Sequence, residues 1–185
     1  MGSCPFAKLR QLDLGDMTET IKIIPAQRDD LRALASLIHE SWQVIYRGVI
    51  ADDYLDTMSL EQRHERFVER FDAGRMLFFK MLADGELIGV AVFGESGTEG
   101  FEQDGEISAI YLREDCVGKG YGHAFFTRIE QELRLEGYEH FVLTLLPENT
   151  RAHRFYLAQG YKEVKRSVLR LGASDYPVVV MRKKA

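Results

Sequence analysis

Cysteine is scarce in this chain, with only Cys4 and Cys116 among 185 residues. Two thiols build no disulfide framework, and so low a count is expected of a protein in a reducing cytoplasm. No apolar run approaches the roughly 20 residues of a membrane span. The opening MGSCPFAKLRQLDLGDMTET lacks the apolar segment of a secretory signal, and Phe6 stands where an acylated Gly2 would need a hydroxyl residue. Positive charge is not in surplus either: 24 Lys and Arg face 29 Asp and Glu, for a net charge of -5, and no segment carries a basic stripe. That weighs against a nucleic-acid partner. The five histidines show no HExxH or comparable spacing, so no metal site is expected. What the chain has is a 45% apolar and 11% aromatic composition, ample for one globular core. The first sixteen residues show no clean period. They are expected to be a poorly ordered arm or upstream sequence, with Met17 an alternative start and the domain spanning 17–185.

Hydrophobic periodicity divides the remainder. TIKIIP at 20–25 alternates like a strand. Leu31, Leu34, Ala35, Ile38, Trp42 and Ile45 recur at helical spacing, with Asp29 or Asp30 as cap. After a bend at Gly48 come one or two more helices, the last capped by Ser59 with Gln62 three residues on. MLFFKMLADGELIGVAVFG reads as a hairpin around Asp84-Gly85, a pair suited to a type I′ turn. EISAIYL is a strand, and a helix ending near Gly137 follows the glycines after it. HFVLTLL is a buried-type strand, and a short helix capped by Asn149 stops at Gly160. Two final strands flank GASD. The order β-α-α-β-β-β-α-β-α-β-β predicts an α/β domain of the α+β type. Its central mixed sheet of about seven strands is mostly antiparallel, flanked by helices, with parallel pairing only between 105–112 and 141–146.

The segment VGKGYG, with Gly118, Gly120 and Gly122 between a strand and a helix, is suited to anions. A helix's first turn carries free N–H groups and partial positive charge, and glycines let a ligand approach that backbone. Lys119 adds a charge. The P-loop pattern is not met, because no hydroxyl follows Gly118-Lys119 and no earlier glycine has the required spacing. The dinucleotide fingerprint needs GxGxxG early in a βαβ unit, whereas these glycines run GxGxG and come late. A plain flexible connector is the remaining reading of the glycines alone.

A second motif narrows the choice. IYLREDCVGKGYG aligns without a gap to the coenzyme loop of the GNAT family of N-acetyltransferases, and LTLLPENTRAHRFYLAQGYKEV resembles that family's next motif at the expected distance. The order of elements over 20–184 agrees. The resemblance implies a single-domain GNAT fold, acetyl-coenzyme A as cosubstrate, no metal, and acetyl transfer to a primary amine of a small molecule or peptide by direct attack in a ternary complex. An acyl-coenzyme A binding or sensing domain on the same fold is the alternative.

Residue by residue, the resemblance implies that the backbone of Ile110, Tyr111 and Leu112 pairs with the pantetheine arm like an added strand. Val117, Gly118, Lys119, Gly120, Tyr121, Gly122 and His123 would surround the pyrophosphate. Val117 departs from the family pattern, which has Arg or Gln there. Asn149, a good N-cap in its own right, would also touch the coenzyme, with Phe155 beside it. Tyr156 would be the general acid for the departing thiolate, a phenol of pKa about 10 suiting a thiolate of about 8.5–10. Glu106 matches the position of a base, with Asp104 nearby as its backup and a candidate acceptor contact. SWQVIYRGVIADDYLDTMS resembles the wall of the acceptor site, where Tyr46 is the stronger substrate contact and Trp42 also suits core packing. Cys116 raises a covalent alternative, but no histidine stands at a diagnostic spacing. The final strands or helices could pair two copies as a homodimer.

Overall fold

A computed structural model describes residues 20–185; the expected arm at 1–16, Cys4 and Met17 lie outside the described residues. The elements run β1 (Ile21–Pro25), α1 (Leu31–Ile45), α2 (Asp52–Thr57), α3 (Leu60–Asp72), β2 (Met76–Ala83), β3 (Glu86–Glu95), β4 (Gly105–Leu112), α4 (Tyr121–Leu135), β5 (His140–Leu145), α5 (Thr150–Ala158), β6 (Lys162–Leu171) and β7 (Ser174–Lys184). The seven strands form one sheet in the order β1-β2-β3-β4-β5-β7-β6. All neighbours are antiparallel except β4 and β5, which α4 connects. The expected fold class and the place of its parallel pair are both met.

Helices cover both faces because the central strands are apolar on both sides. On one face α4 packs Phe125, Phe126, Ile129 and Leu133 against Met81, Ala91, Phe93, Phe141 and Leu143. On the other, Leu31, Leu34 and Ile38 of α1 and Phe67 of α3 meet Phe78, Val90 and Val92. Neighbours in sequence such as Phe78 and Phe79 thus enter opposite cores, the period-two signature of a strand.

Local signals hold with one exception. Asp84 and Gly85 take positive φ of 49° and 89°, as a type I′ turn requires. Ser59 Oγ accepts from the Gln62 N–H at 3.2 Å. The cap expected at Asp29 or Asp30 does not form. The Asp30 carboxylate turns back to the Gln27 N–H at 2.7 Å and to Lys80 Nζ at 2.7 Å, closing a single tight turn at 28–30 that leads directly into α1. One feature bears on the site: the β3–β4 register slips between Val92/Ala109 and Phe93/Ile107, leaving Ser108 as an extra residue. Such a bulge bends a strand and re-aims its side chains.

Candidate active site

Strands β4 and β5 pair only at Gly105–Phe141 and Glu106–Val142, and then they part. Beyond that point residues 107–112 remain bonded to β3 and residues 143–145 to β7. Each strand therefore presents an unpaired inner edge of N–H and C=O groups to the gap. The gap is a cleft of about 470 Å³. Buried backbone polar groups normally find partners, so an extended, amide-bearing ligand matches these edges.

At one end of the cleft lies the glycine loop. Gly118 and Gly120 have φ of 83° and 86°, conformations that an L side chain resists, and open space stands where a Cβ would project from either. Gly120 is the N-cap of the fifteen-residue α4 and offers no side-chain acceptor. Among the described residues, the backbone N–H groups of Gly118, Lys119, Gly120, Gly122 and His123 make no hydrogen bond. With exposed Lys119 beside them, these free donors at a helix N-terminus are suited to an anion. Two neighbours take other roles. The Tyr121 ring is buried in the core under α4. The Val117 N–H is spent on the Glu114 carbonyl at 3.2 Å, so Val117 offers the cleft its side chain and the free donors start at Gly118.

Helix α5 supplies the opposite wall. Asn149 Oδ1 accepts from the Ala152 N–H at 3.1 Å, the expected cap, while its amide donors meet no partner among the described residues and its side chain lines the cleft. Phe155 and Tyr156 line it too. The Tyr156 ring is fixed by Phe126, Phe155 and Tyr161, at centroid distances of 5.5, 5.6 and 6.2 Å. Burial, and then Tyr46 alongside, push the Tyr156 phenol well above its ordinary pKa.

The third wall is the end of α1. Tyr46 lines the cleft and packs edge-on to Trp42 at 5.0 Å. Trp42 does not line it; its Nε1–H donates to the Tyr111 hydroxyl at 3.0 Å. Burial and the neighbouring Tyr46 hold the Tyr111 phenol protonated. The phenols of Tyr46, Tyr111 and Tyr156 therefore gather at one end of the cleft. The sequence named Tyr111 only for its backbone, and its side-chain role had no signal there.

The carboxylates separate sharply. Glu106 sits at the last parallel pair, where the strands part. Its Oε2 accepts from Gly97 N–H at 2.9 Å, Thr98 Oγ1 at 3.1 Å and Ser96 Oγ at 3.2 Å. Its Oε1 has no partner among the described residues. Asp104 is corrected: it is buried, it does not line the cleft, and both its oxygens are taken by Arg182 at 2.6 and 2.9 Å. That bidentate pair ties the β3–β4 loop to β7 and leaves no oxygen for an acceptor. Cys116 is buried, and burial together with Asp115 pushes its thiol up, the reverse of an activated nucleophile. Three or more metal-binding side chains are nowhere clustered among the described residues, and no helix there is long and apolar enough to cross a membrane.

Known proteins resemble this chain in sequence and fold. The chain is 26% identical over 129 residues, 70% of its length and 73% of the relative's, to the uncharacterized N-acetyltransferase YuaI of Bacillus subtilis. It is 23% identical to the spermidine N(1)-acetyltransferase of Thermoplasma acidophilum, over 77% of this chain and 89% of that one. The crystal structure of the PaiA N-acetyltransferase of Thermoplasma acidophilum in complex with coenzyme A superposes with a TM-score of 0.71 at 23% identity, covering 89% of this chain and 99% of that one. Residues 33–161, more than half of the chain, match the model of the acetyltransferase (GNAT) family, and the chain belongs to that family of acyltransferases.

Proposed function

We propose that this protein transfers the acetyl group of acetyl-coenzyme A to a primary amine of a small molecule or peptide, by direct attack in a ternary complex. The observation that carries the reading is the parting of β4 and β5. Their open edges line one cleft together with Val117 and Gly122 of the glycine loop and with Tyr156. The name of the Thermoplasma relative, which specifies spermidine, supports an amine as acceptor.

The residues fit the coenzyme. The free N–H groups at the start of α4, with Lys119, would hold its pyrophosphate. The unpaired edge of β4 around Ile110–Leu112 and the Asn149 amide would hold the pantetheine arm. When bound, the coenzyme supplies an acyl group activated as a thioester. A β4 N–H would stabilise negative charge developing on the acyl oxygen. Tyr156 is protonated at neutral pH, as a tyrosine is, and burial raises its pKa further. It therefore stands as a hydrogen-bond donor where the sulfur would lie, giving up the proton only as charge builds there. Glu106 does not line the cleft, so its free Oε1 would take the amine's proton through an intervening water.

Release of free thiol from acetyl-coenzyme A, followed over a panel of amines, tests the reading. The wild type should turn over at least one amine, and Tyr156→Phe should bind the coenzyme normally while turnover falls by about 10²–10⁴. An unchanged rate would sink the role given to Tyr156. No turnover with any amine, alongside intact coenzyme binding, would favour a binding or sensing domain.

A further inference from the structure

Acetyl transfer as derived above leaves the charged side chains of the cleft unused. Among the described residues that line it, Arg151 is the one cation, and the carboxylates are Glu114 and Glu148. Carboxylates thus outnumber cations on the lining of a cleft whose glycine loop is suited to an anion. The one cation is also engaged: Arg151 Nη1 donates to Glu114 Oε1 at 3.2 Å. Glu114 stands on the loop between β4 and α4, and Arg151 stands on α5. The ion pair therefore joins opposite walls of the cleft.

Neither partner is well placed for stability. Arg151 occupies the first turn of α5, a turn without a carboxylate, where the partial positive charge of a helix start disfavours a cation. Both side chains are largely exposed, at 58% and 63%, and an exposed pair of this kind contributes only about 0–1 kcal/mol. Such a bond is easily exchanged. A phosphate takes the paired N–H donors of a guanidinium at least as well as a carboxylate does, and contacts between ionised partners are the strong ones. A phosphate passing between the two walls would meet Arg151 directly, with Glu114 as its competitor.

We propose that Arg151 binds a phosphate of the coenzyme and that Glu114 is its exchangeable partner: the entering phosphate takes Arg151 from Glu114, whose carboxylate turns to solvent. The pair is then a latch across the cleft that opens only to a ligand able to replace the carboxylate. The shared chemistry is phosphate, whether that of the pyrophosphate or of the adenosine 3′ position. This inference rests on the reading of the cleft as a coenzyme site.

Calorimetric titration of the full chain with coenzyme A and with 3′-dephospho-coenzyme A tests it. Arg151→Gln should weaken coenzyme A by about 10-fold, and Arg151→Lys should keep part of the affinity. Glu114→Gln should act in the opposite direction and tighten coenzyme A by about 2- to 5-fold. Glu148→Gln removes the other cleft carboxylate, which pairs with no cation among the described residues, and should tighten it less. If the Arg151→Gln loss is confined to coenzyme A, the phosphate is the 3′ one; if 3′-dephospho-coenzyme A shares the loss, it is the pyrophosphate. Unchanged affinity in Arg151→Gln, or equal losses in the Gln and Lys variants, would overturn the phosphate contact. Unchanged or weaker binding in Glu114→Gln would overturn the exchange, and so would an equal gain from Glu148→Gln, which would reduce the effect to overall charge. A wild type that binds no coenzyme A would overturn the coenzyme reading as well.

Discussion

Asn149 caps α5 and, under the proposed function, would also hold the coenzyme through different atoms, and two substitutions separate these roles. Its Oδ1 caps α5 through the Ala152 N–H at 3.1 Å, and its amide donors face the cleft. Asn149→Ala removes both. The lost cap costs about 1 kcal/mol of stability, which for a chain of this size lowers Tm by roughly 2–4 °C. Asn149→Asp keeps an oxygen at the cap and adds favourable charge at a helix N-terminus, so stability should stay within about 0.5 kcal/mol of wild type. In the cleft the order reverses. Alanine forfeits one hydrogen bond, about 0.5–1.5 kcal/mol or roughly 2- to 12-fold in coenzyme affinity. Aspartate replaces donors with acceptors and sets a negative charge in a cleft built for an anion, so its loss should exceed alanine's. Thermal unfolding and calorimetric titration with coenzyme A read the two axes independently. If Asn149→Asp bound coenzyme A as tightly as wild type, the amide would have no part in the site and Asn149 would be a helix cap alone.

Three further outcomes follow from the same structure. Tyr111, Tyr156 and Tyr161 all have pKa values raised, first by burial. The folded state therefore prefers their protonated forms. The stability this confers is complete below about pH 10, the unfolded value, and drains away as pH climbs toward the folded values. Tyrosinate absorbance should accordingly show a fraction of the phenols ionising only as the protein unfolds; complete ionisation near pH 10 in the folded state would contradict the burial. Asp104→Asn should weaken the tie to Arg182 and lower stability by about 1–2 kcal/mol with coenzyme affinity unchanged, and a selective loss of activity without loss of Tm would return Asp104 to the site. Cys116→Ser should leave acetyl transfer intact, and abolition of turnover in a stable variant would revive a covalent path.

The fold was legible in the sequence because its signals were local and redundant. Alternation, Asp84-Gly85, Ser59 and Asn149 each marked an element or a boundary, and the crossover helix between 105–112 and 141–146 located the parallel pair. The glycine loop was legible for the same reason: glycines before a helix specify backbone geometry wherever they stand. What escaped was decided by distant partners. Asp104 looked like a free loop carboxylate until β7 brought Arg182 to both its oxygens. Trp42 and Tyr111 lie 69 positions apart and share one hydrogen bond. Ser108 reached the cleft through a register slip that no residue of β4 announces.

The two residue pairs that join β4 to β5 have a mechanical consequence. Strands β1 to β4 are laced together along their lengths, as are β5, β7 and β6, and between these blocks the ladder has two rungs. The two blocks are held together by the core under α4, and the cleft lies along their seam. A ligand that bonds to both open edges is a structural insert as much as a reactant, restoring continuity across a sheet that the chain leaves incomplete.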